Sequence, residues 1–208
     1  MSSRRYSAAD QLLMRLGKGL AHNNRSPADA MPAKDAHLSA SERREAGNLM
    51  RVNHAGEVAA QGLYHGQALT AKNEETRKHL LTAAAEEQTH LQWCEQRLAE
   101  LNDGPSRLRP LWYGGSLVMG AVAGLFGDRW SLGFVAETER QVSEHLDEHI
   151  DRLPPEDQAS RKVLQAMRED EQRHGNEAEK LGGVALPAPV RGLMRQVAKL
   201  MKEGAYRF

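Results

Sequence analysis

A chain of 208 residues with a 40% hydrophobic share can build one sizeable core plus appendages. Its 28 basic and 28 acidic residues cancel, so there is no global positive field of the kind that gathers nucleic acid. The single cysteine, Cys94, excludes an intramolecular disulfide and any Cys-x-x-Cys metal or redox pair. Aromatic residues are few, while alanine and charged helix formers abound, which predicts an all-α fold.

Residues 1–22 place Arg4, Arg5, Arg15 and Lys18 around Leu12, Leu13, Leu16 and Leu20. This pattern fits a short basic amphipathic helix able to lie on an anionic membrane, or else an unstructured terminus. The segment has no apolar signal-peptide core, and its Arg/Ser-rich, acid-poor character also suits a mitochondrial presequence. Turn and linker residues follow, including Pro27 and Pro32. The expected organisation is therefore a flexible N-terminal segment over 1–38 and one folded domain over 39–208.

Ser39 with Glu42 forms a capping box that opens a long helix through about Ala71. Its least polar stripe is Ala46, Met50, Asn53, Glu57, Ala60, Tyr64. Asn73 can cap a second helix with the seam Leu80, Ala84, Glu87, Leu91, Cys94, Leu98. Residues 111–127 are a 17-residue run without a charge, containing five glycines. Three placements suit it: a buried crossover helix, a segment dipping into one leaflet, or a full span. Asp128 is the expected cap of the next helix, with stripe Leu132, Val135, Glu139, Val142, Leu146, Ile150. Pro154-Pro155 separates it from a helix with stripe Leu164, Met167, Glu171, His174, Ala178, which Gly182-Gly183 ends. A last amphipathic helix, about 190–203, sets Leu193, Val197 and Leu200 against Arg191, Arg195 and Lys199.

Within this series the order Glu, then Glu-x-x-His, occurs twice. Glu57 precedes Glu87 by 30 residues and Glu139 precedes Glu171 by 32, each about one antiparallel helical return. Residues three apart share a helix face, so Glu87 with His90 and Glu171 with His174 can each offer a carboxylate and an imidazole to one ion. All four glutamates fall on apolar stripes, where an ionised carboxylate is costly unless it is paired or binds metal. Two divalent ions would cancel four carboxylates, and two neutral imidazoles would complete the donor set. Mixed oxygen and nitrogen donors from four helices suit iron or manganese in a ferritin-like bundle. The candidate metal ligands are Glu57, Glu87, His90, Glu139, Glu171 and His174. Without metal, crowding and burial are expected to raise the carboxylate pKa values. Glu86, Asp170, His54, His145 and His149 are candidates for orienting the ligands, although solvent-facing or purely structural placement is the simpler expectation. Trp93, Trp112 and Trp130 fit ordinary packing or an interfacial anchor.

The stretch from Leu49 to Val58, which contains Asn53-His54-Ala55-Gly56-Glu57, and the following Leu63-Tyr64-His65-Gly66-Gln67-Ala68 closely resemble the demethoxyubiquinol hydroxylase family of ubiquinone biosynthesis. The likeness runs from about Ser41 to the C-terminus. It implies a membrane-associated, ferritin-like di-iron monooxygenase that hydroxylates the ring of a polyprenylated quinol precursor with dioxygen and an electron donor. By position, Glu57 and His90 would serve one iron and Glu139 and His174 the other, with Glu87 and Glu171 bridging both. No catalytic residue beyond these ligands is implied. The expected partners are the quinol, dioxygen and membrane lipid, with a homo-oligomer or a lipid-binding accessory protein, as in animal members, also compatible. The expected location is peripheral on the cytoplasmic face of a bacterial cell membrane, or on the matrix face of the mitochondrial inner membrane. Two other function classes compete: a ferritin-like iron oxidation or storage protein, and a metal-free membrane-binding helical module.

Overall fold

The computed structural model describes residues 38–208; the basic segment expected over 1–22 lies outside them. The described residues form six helices and no strand: α1 (Ala40–Thr70), α2 (Glu74–Glu100), α3 (Arg109–Leu125), α4 (Asp128–Arg152), α5 (Gln158–Lys180) and α6 (Ala188–Arg207). Helices α1, α2, α4 and α5 make a ferritin-like four-helix bundle, as the two-fold Glu, Glu-x-x-His order predicts.

The helix starts follow local chemistry. Ser39 Oγ accepts from Glu42 N–H, while Ser39 N–H donates to the Glu42 carboxylate at 2.8 Å, closing the capping box. Asn73 accepts from Glu75 N–H at 2.8 Å and starts α2. Asp128 departs from its expected role. The cap of α4 is Gly127, and no side chain caps that end. The Asp128 carboxylate instead accepts from the Lys72 and Asn73 amides, at 3.0 and 2.8 Å, and ties α4 to the turn between α1 and α2. Helix α5 begins at Gln158 rather than directly after Pro155, because Asp157 caps it by accepting from Ser160 N–H.

Apolar packing divides into two blocks at opposite ends of the bundle. One contains Leu49, Met50, Trp93, Leu98, Leu146, Leu164 and Met167; the other contains Tyr64, Leu80, Ala84, Leu132, Val135 and Ala178. Residue numbers along all four helices put the candidate ligands between the blocks, so the polar cluster is clamped from both ends. A buried ion pair fixes the start of α5 on α2: Arg97 Nη2 donates to Asp157 at 2.9 Å and Arg97 Nε donates to Ser160 Oγ at 2.9 Å.

The uncharged 111–127 segment is neither a buried crossover nor a span. It forms α3, which lies along α1 through glycines. A Cβ on Gly66 would collide with the Leu117 carbonyl, and one on Gly120 with the Leu63 carbonyl, so only residues without a side chain let the two backbones approach. Thr70 Oγ1 donates across this contact to the Ala121 carbonyl at 3.2 Å. The opposite face leaves Leu111, Val118, Val122, Leu125 and Phe126 exposed. Among the described residues no helix is long and apolar enough to cross a membrane. Helix α6 extends beyond the predicted 190–203 at both ends. Ala205 anchors it beside Val52 and Ala55, and Leu193, Val197 and Leu200 face outward.

Candidate metal centre

The structure brings all six sequence-predicted residues together. Glu57 from α1, Glu87 and His90 from α2, Glu139 from α4, and Glu171 and His174 from α5 are each no more than 2% exposed. Burial this complete makes unpaired charge expensive, so the arrangement of partners decides what the cluster is for.

His90 Nδ1 lies 2.9 Å from Glu87 Oε2, 3.3 Å from Glu171 Oε1 and 3.5 Å from Glu57 Oε2. His174 Nδ1 lies 3.5 Å from Glu87 Oε1, 3.5 Å from Glu171 Oε2 and 3.9 Å from Glu139 Oε1. Glu87 and Glu171 therefore each turn one oxygen toward each imidazole, while Glu57 serves only the His90 side and Glu139 only the His174 side. Two overlapping groups result: Glu57, Glu87, His90 and Glu171, and Glu87, Glu139, Glu171 and His174, with donor atoms within 4.8 Å of one another in each. Two shared carboxylates, two terminal carboxylates and one imidazole per group can hold a pair of divalent ions.

Orphaned donor atoms test that fit. Glu87 Oε1, both Glu139 oxygens, Glu171 Oε1 and His174 Nδ1 are buried without a hydrogen-bond partner. Buried polar atoms are rarely left in that state, and here they converge on one space. Their oxygen and nitrogen chemistry suits iron or manganese better than a structural zinc or a calcium ion.

The protonation pattern is more divided than a uniform rise of all four carboxylates. Burial, reinforced by the Glu171 charge, pushes Glu57 and Glu139 well up. Burial pushes Glu171 up as well, but the two imidazoles of His174 and His90 close beside it outweigh that and hold it below the ordinary value. Burial disfavours imidazolium, yet the surrounding carboxylates overcome it and raise His90 well above its usual value and His174 to about 11. Protons thus occupy part of the role that metal would take.

The outer nitrogens have their own partners. His90 Nε2 donates to Asp170 at 3.2 Å and His174 Nε2 donates to Glu86 at 2.6 Å. Arg173 Nη2 joins the two carboxylates, 2.8 Å from Glu86 and 3.0 Å from Asp170. Glu86 and Asp170 are therefore not simply solvent-facing. Each keeps its histidine turned so that Nδ1 points into the cluster. The sequence signal was the acid directly before each Glu-x-x-His. It could not show that each acid serves the histidine of the other motif, and Arg173 carried no signal at all. The other three candidates have structural placements. His54 meets Glu95 at 3.3 Å, and His145 and His149 meet edge to face with ring centres 3.8 Å apart. His149 also contacts Asn53 Oδ1 at 2.9 Å. Trp93 is buried against His90, whereas Trp130 is exposed.

Glu137, two residues before Glu139, faces away from the cluster and receives Arg140 and Gln141. This separates the two glutamates as the α4 stripe predicted.

Comparison with known proteins agrees with the geometry. The family model described as ubiquinone biosynthesis protein COQ7 matches residues 44–205. A protein of Xanthomonas campestris pv. campestris named 3-demethoxyubiquinol 3-hydroxylase is 52% identical over 211 residues, covering 99% of this chain and 97% of its own. Proteins of the same name from Cupriavidus pinatubonensis and Ralstonia pickettii are each 54% identical, over 88% of both chains. The Xanthomonas match extends into the N-terminal residues that the motif resemblance left out. With its buried carboxylate and histidine cluster and a family match over most of its length, this chain belongs to the COQ7 family of ubiquinone biosynthesis proteins.

Proposed function

We propose that this chain is a dioxygen-dependent di-iron monooxygenase that hydroxylates the ring of a polyprenylated demethoxyubiquinol to the demethylubiquinol. Glu57, Glu87, His90, Glu139, Glu171 and His174 would hold two iron ions per chain, with Glu87 and Glu171 common to both donor groups. The names of the relatives support the substrate and the reaction. The observation that carries the reading for this chain is an apolar cavity of about 470 Å³ that reaches Glu57. Leu63, Met119, Phe134, Val142, Met194 and Val197 line it, so α3 and α6 supply its outer walls.

An apolar cavity ending on a carboxylate and histidine cluster suits a substrate with a polar ring and a hydrocarbon tail. The ring sits at the Glu57 end, and the prenyl chain follows the apolar wall outward. Iron bound in the cluster supplies dioxygen activation. The chain's residues supply position, dryness and proton control: the apolar wall excludes water, and the Asp170 and Glu86 contacts fix both imidazoles. One oxygen atom enters a ring C–H and the other leaves as water, so an external donor provides two electrons.

The exposed apolar faces of α3 and α6 would rest at a membrane surface, where such a substrate resides, giving peripheral attachment on the cytoplasmic face of a bacterial cell membrane. Flotation with anionic vesicles, abolished by polar substitution of Leu193 and Leu200, would support this; retention in solution would count against it. The folded unit carrying the activity is residues 39–208.

The deciding experiment loads the protein with ferrous iron, reduces it anaerobically with short-tailed demethoxyubiquinol present, and admits isotopically labelled dioxygen. Mass spectrometry should find one labelled oxygen on the ring. An unlabelled or unchanged quinol, with iron bound, would overturn the proposal.

A further inference from the structure

The cluster has a second approach, on the other flank of α4 from the apolar cavity, with Glu144 at the rim of both. A polar cavity of about 800 Å³ opens between α4, α5 and the linker over 181–187 and reaches Glu139 and Glu171. Its two sides differ in chemistry. The apolar cavity accepts hydrocarbon, and the charges at its rim are mixed, Glu144 and Glu148 against Arg195, Lys199 and Lys202, so it offers a dication no acidic surplus. The polar one is lined by six carboxylates, Glu137, Glu139, Glu144, Asp147, Glu171 and Glu179, against two guanidiniums, Arg140 and Arg191.

We propose that this polar cavity is the path by which hydrated divalent cations load the metal centre, so that metal and lipid substrate arrive through separate openings. The inference rests on the metal-centre reading above. Acidic side chains alone would not make a path; the end of the cavity does. Glu139 lines it, is 1% exposed, and has both carboxylate oxygens without a hydrogen-bond partner. Glu171 Oε1 beside it is likewise unpartnered. A cation moving inward therefore ends at buried carboxylate oxygens that no protein group satisfies. Gly175 keeps that end open, since a Cβ there would press on Glu139 Cβ at 3.3 Å.

The outer wall is solvated and adjustable. Arg140 is engaged by Glu137 and Glu144, and Arg168 donates to Asp147 at 2.5 Å. The exposed pairs of Glu144 and Asp147 contribute little to stability and leave the carboxylate surplus free to attract a dication. Glu144, Asp147 and Glu179 form the outer ring that a cation passes first, each on the solvent-exposed side. Clefts lined with one sign of charge concentrate counter-ions and accelerate their capture, an effect that salt suppresses.

The test uses the full-length metal-free protein and cobalt(II) alone, under anaerobic conditions. Uptake is followed by cobalt absorption in a stopped-flow instrument, and the final cobalt content is measured by elemental analysis. The triple variant Glu144→Gln, Asp147→Asn, Glu179→Gln should load roughly tenfold more slowly at low salt, with the deficit shrinking at about 0.5 M salt. Its final cobalt content and helicity should match the unmodified protein. The single variant Glu179→Lys should slow loading in the same direction, and Glu74→Gln with Glu75→Gln, in the first turn of α2, should not. Loading of the triple variant at the unmodified rate, or an equal slowing by the α2 pair, would overturn the path while leaving the centre intact. No cobalt bound by the unmodified protein would overturn both.

Discussion

His174 Nε2 lies 2.6 Å from Glu86, a carboxylate carried by the other Glu-x-x-His helix. Asp170 repays the contact by receiving His90, so each helix orients the histidine of its neighbour. Such partners raise ligand basicity and fix the ring. Glu86→Ala and Asp170→Ala should each weaken iron or cobalt binding by roughly 10- to 100-fold. A competition titration against a chelator of known affinity reads this directly, and unchanged affinity in both would remove the orienting role.

The two α4 glutamates should behave oppositely. Glu139→Ala removes a terminal donor, as does Glu57→Ala, and either should cost more than the roughly 100-fold upper end expected for an outer partner. Glu137→Ala removes only contacts to Arg140 and Gln141 and should reach full metal content on reconstitution. If Glu137→Ala lost metal while Glu139→Ala kept it, the assignment on α4 would be reversed.

Arg97 gives a test of the fold that does not involve metal. It is buried and paired with Asp157, so Arg97→Ala leaves a buried carboxylate without its counter-charge. The expected cost is about 3–5 kcal/mol, read from the shift in denaturant midpoint. The double variant Arg97→Met, Asp157→Asn should recover part of it.

His149 sets an acid limit. Burial, with help from Arg152 and Lys202, lowers its folded pKa to about 3, and burial likewise holds His145 well below the usual value. A depressed folded pKa means that the unfolded chain binds more protons once the pH falls below about 6.5. The stability this neutral ring contributes is therefore complete above that pH. It is lost progressively toward pH 3, at up to about 1.4 kcal/mol per pH unit. Melting temperatures at pH 7 and pH 5 should fall more for the unmodified protein than for His149→Gln, which can still hydrogen-bond Asn53. Equal falls would show that His149 is not held neutral.

The sequence by itself determined the helices, their inner faces and the identity of the six clustered residues, because those rest on local rules. Capping at Ser39 and Asn73 and a repeat near 3.6 residues place Glu57, Glu87, Glu139 and Glu171 on inner stripes whatever the chain does at long range. Tertiary structure decided what no local pattern encodes. Glu87 and Glu171 face both histidines only because α2 and α5 meet at that level, and Glu86 and Asp170 exchange partners across the same contact. The uncharged segment could not be placed from its composition, since the glycines that weaken a lone helix are the ones that let α3 touch α1. Asp128 likewise followed its nearest tertiary donors, the Lys72 and Asn73 amides, rather than its own helix. A polar side chain goes to whichever unsatisfied group lies within reach, and only the packed fold sets which groups those are.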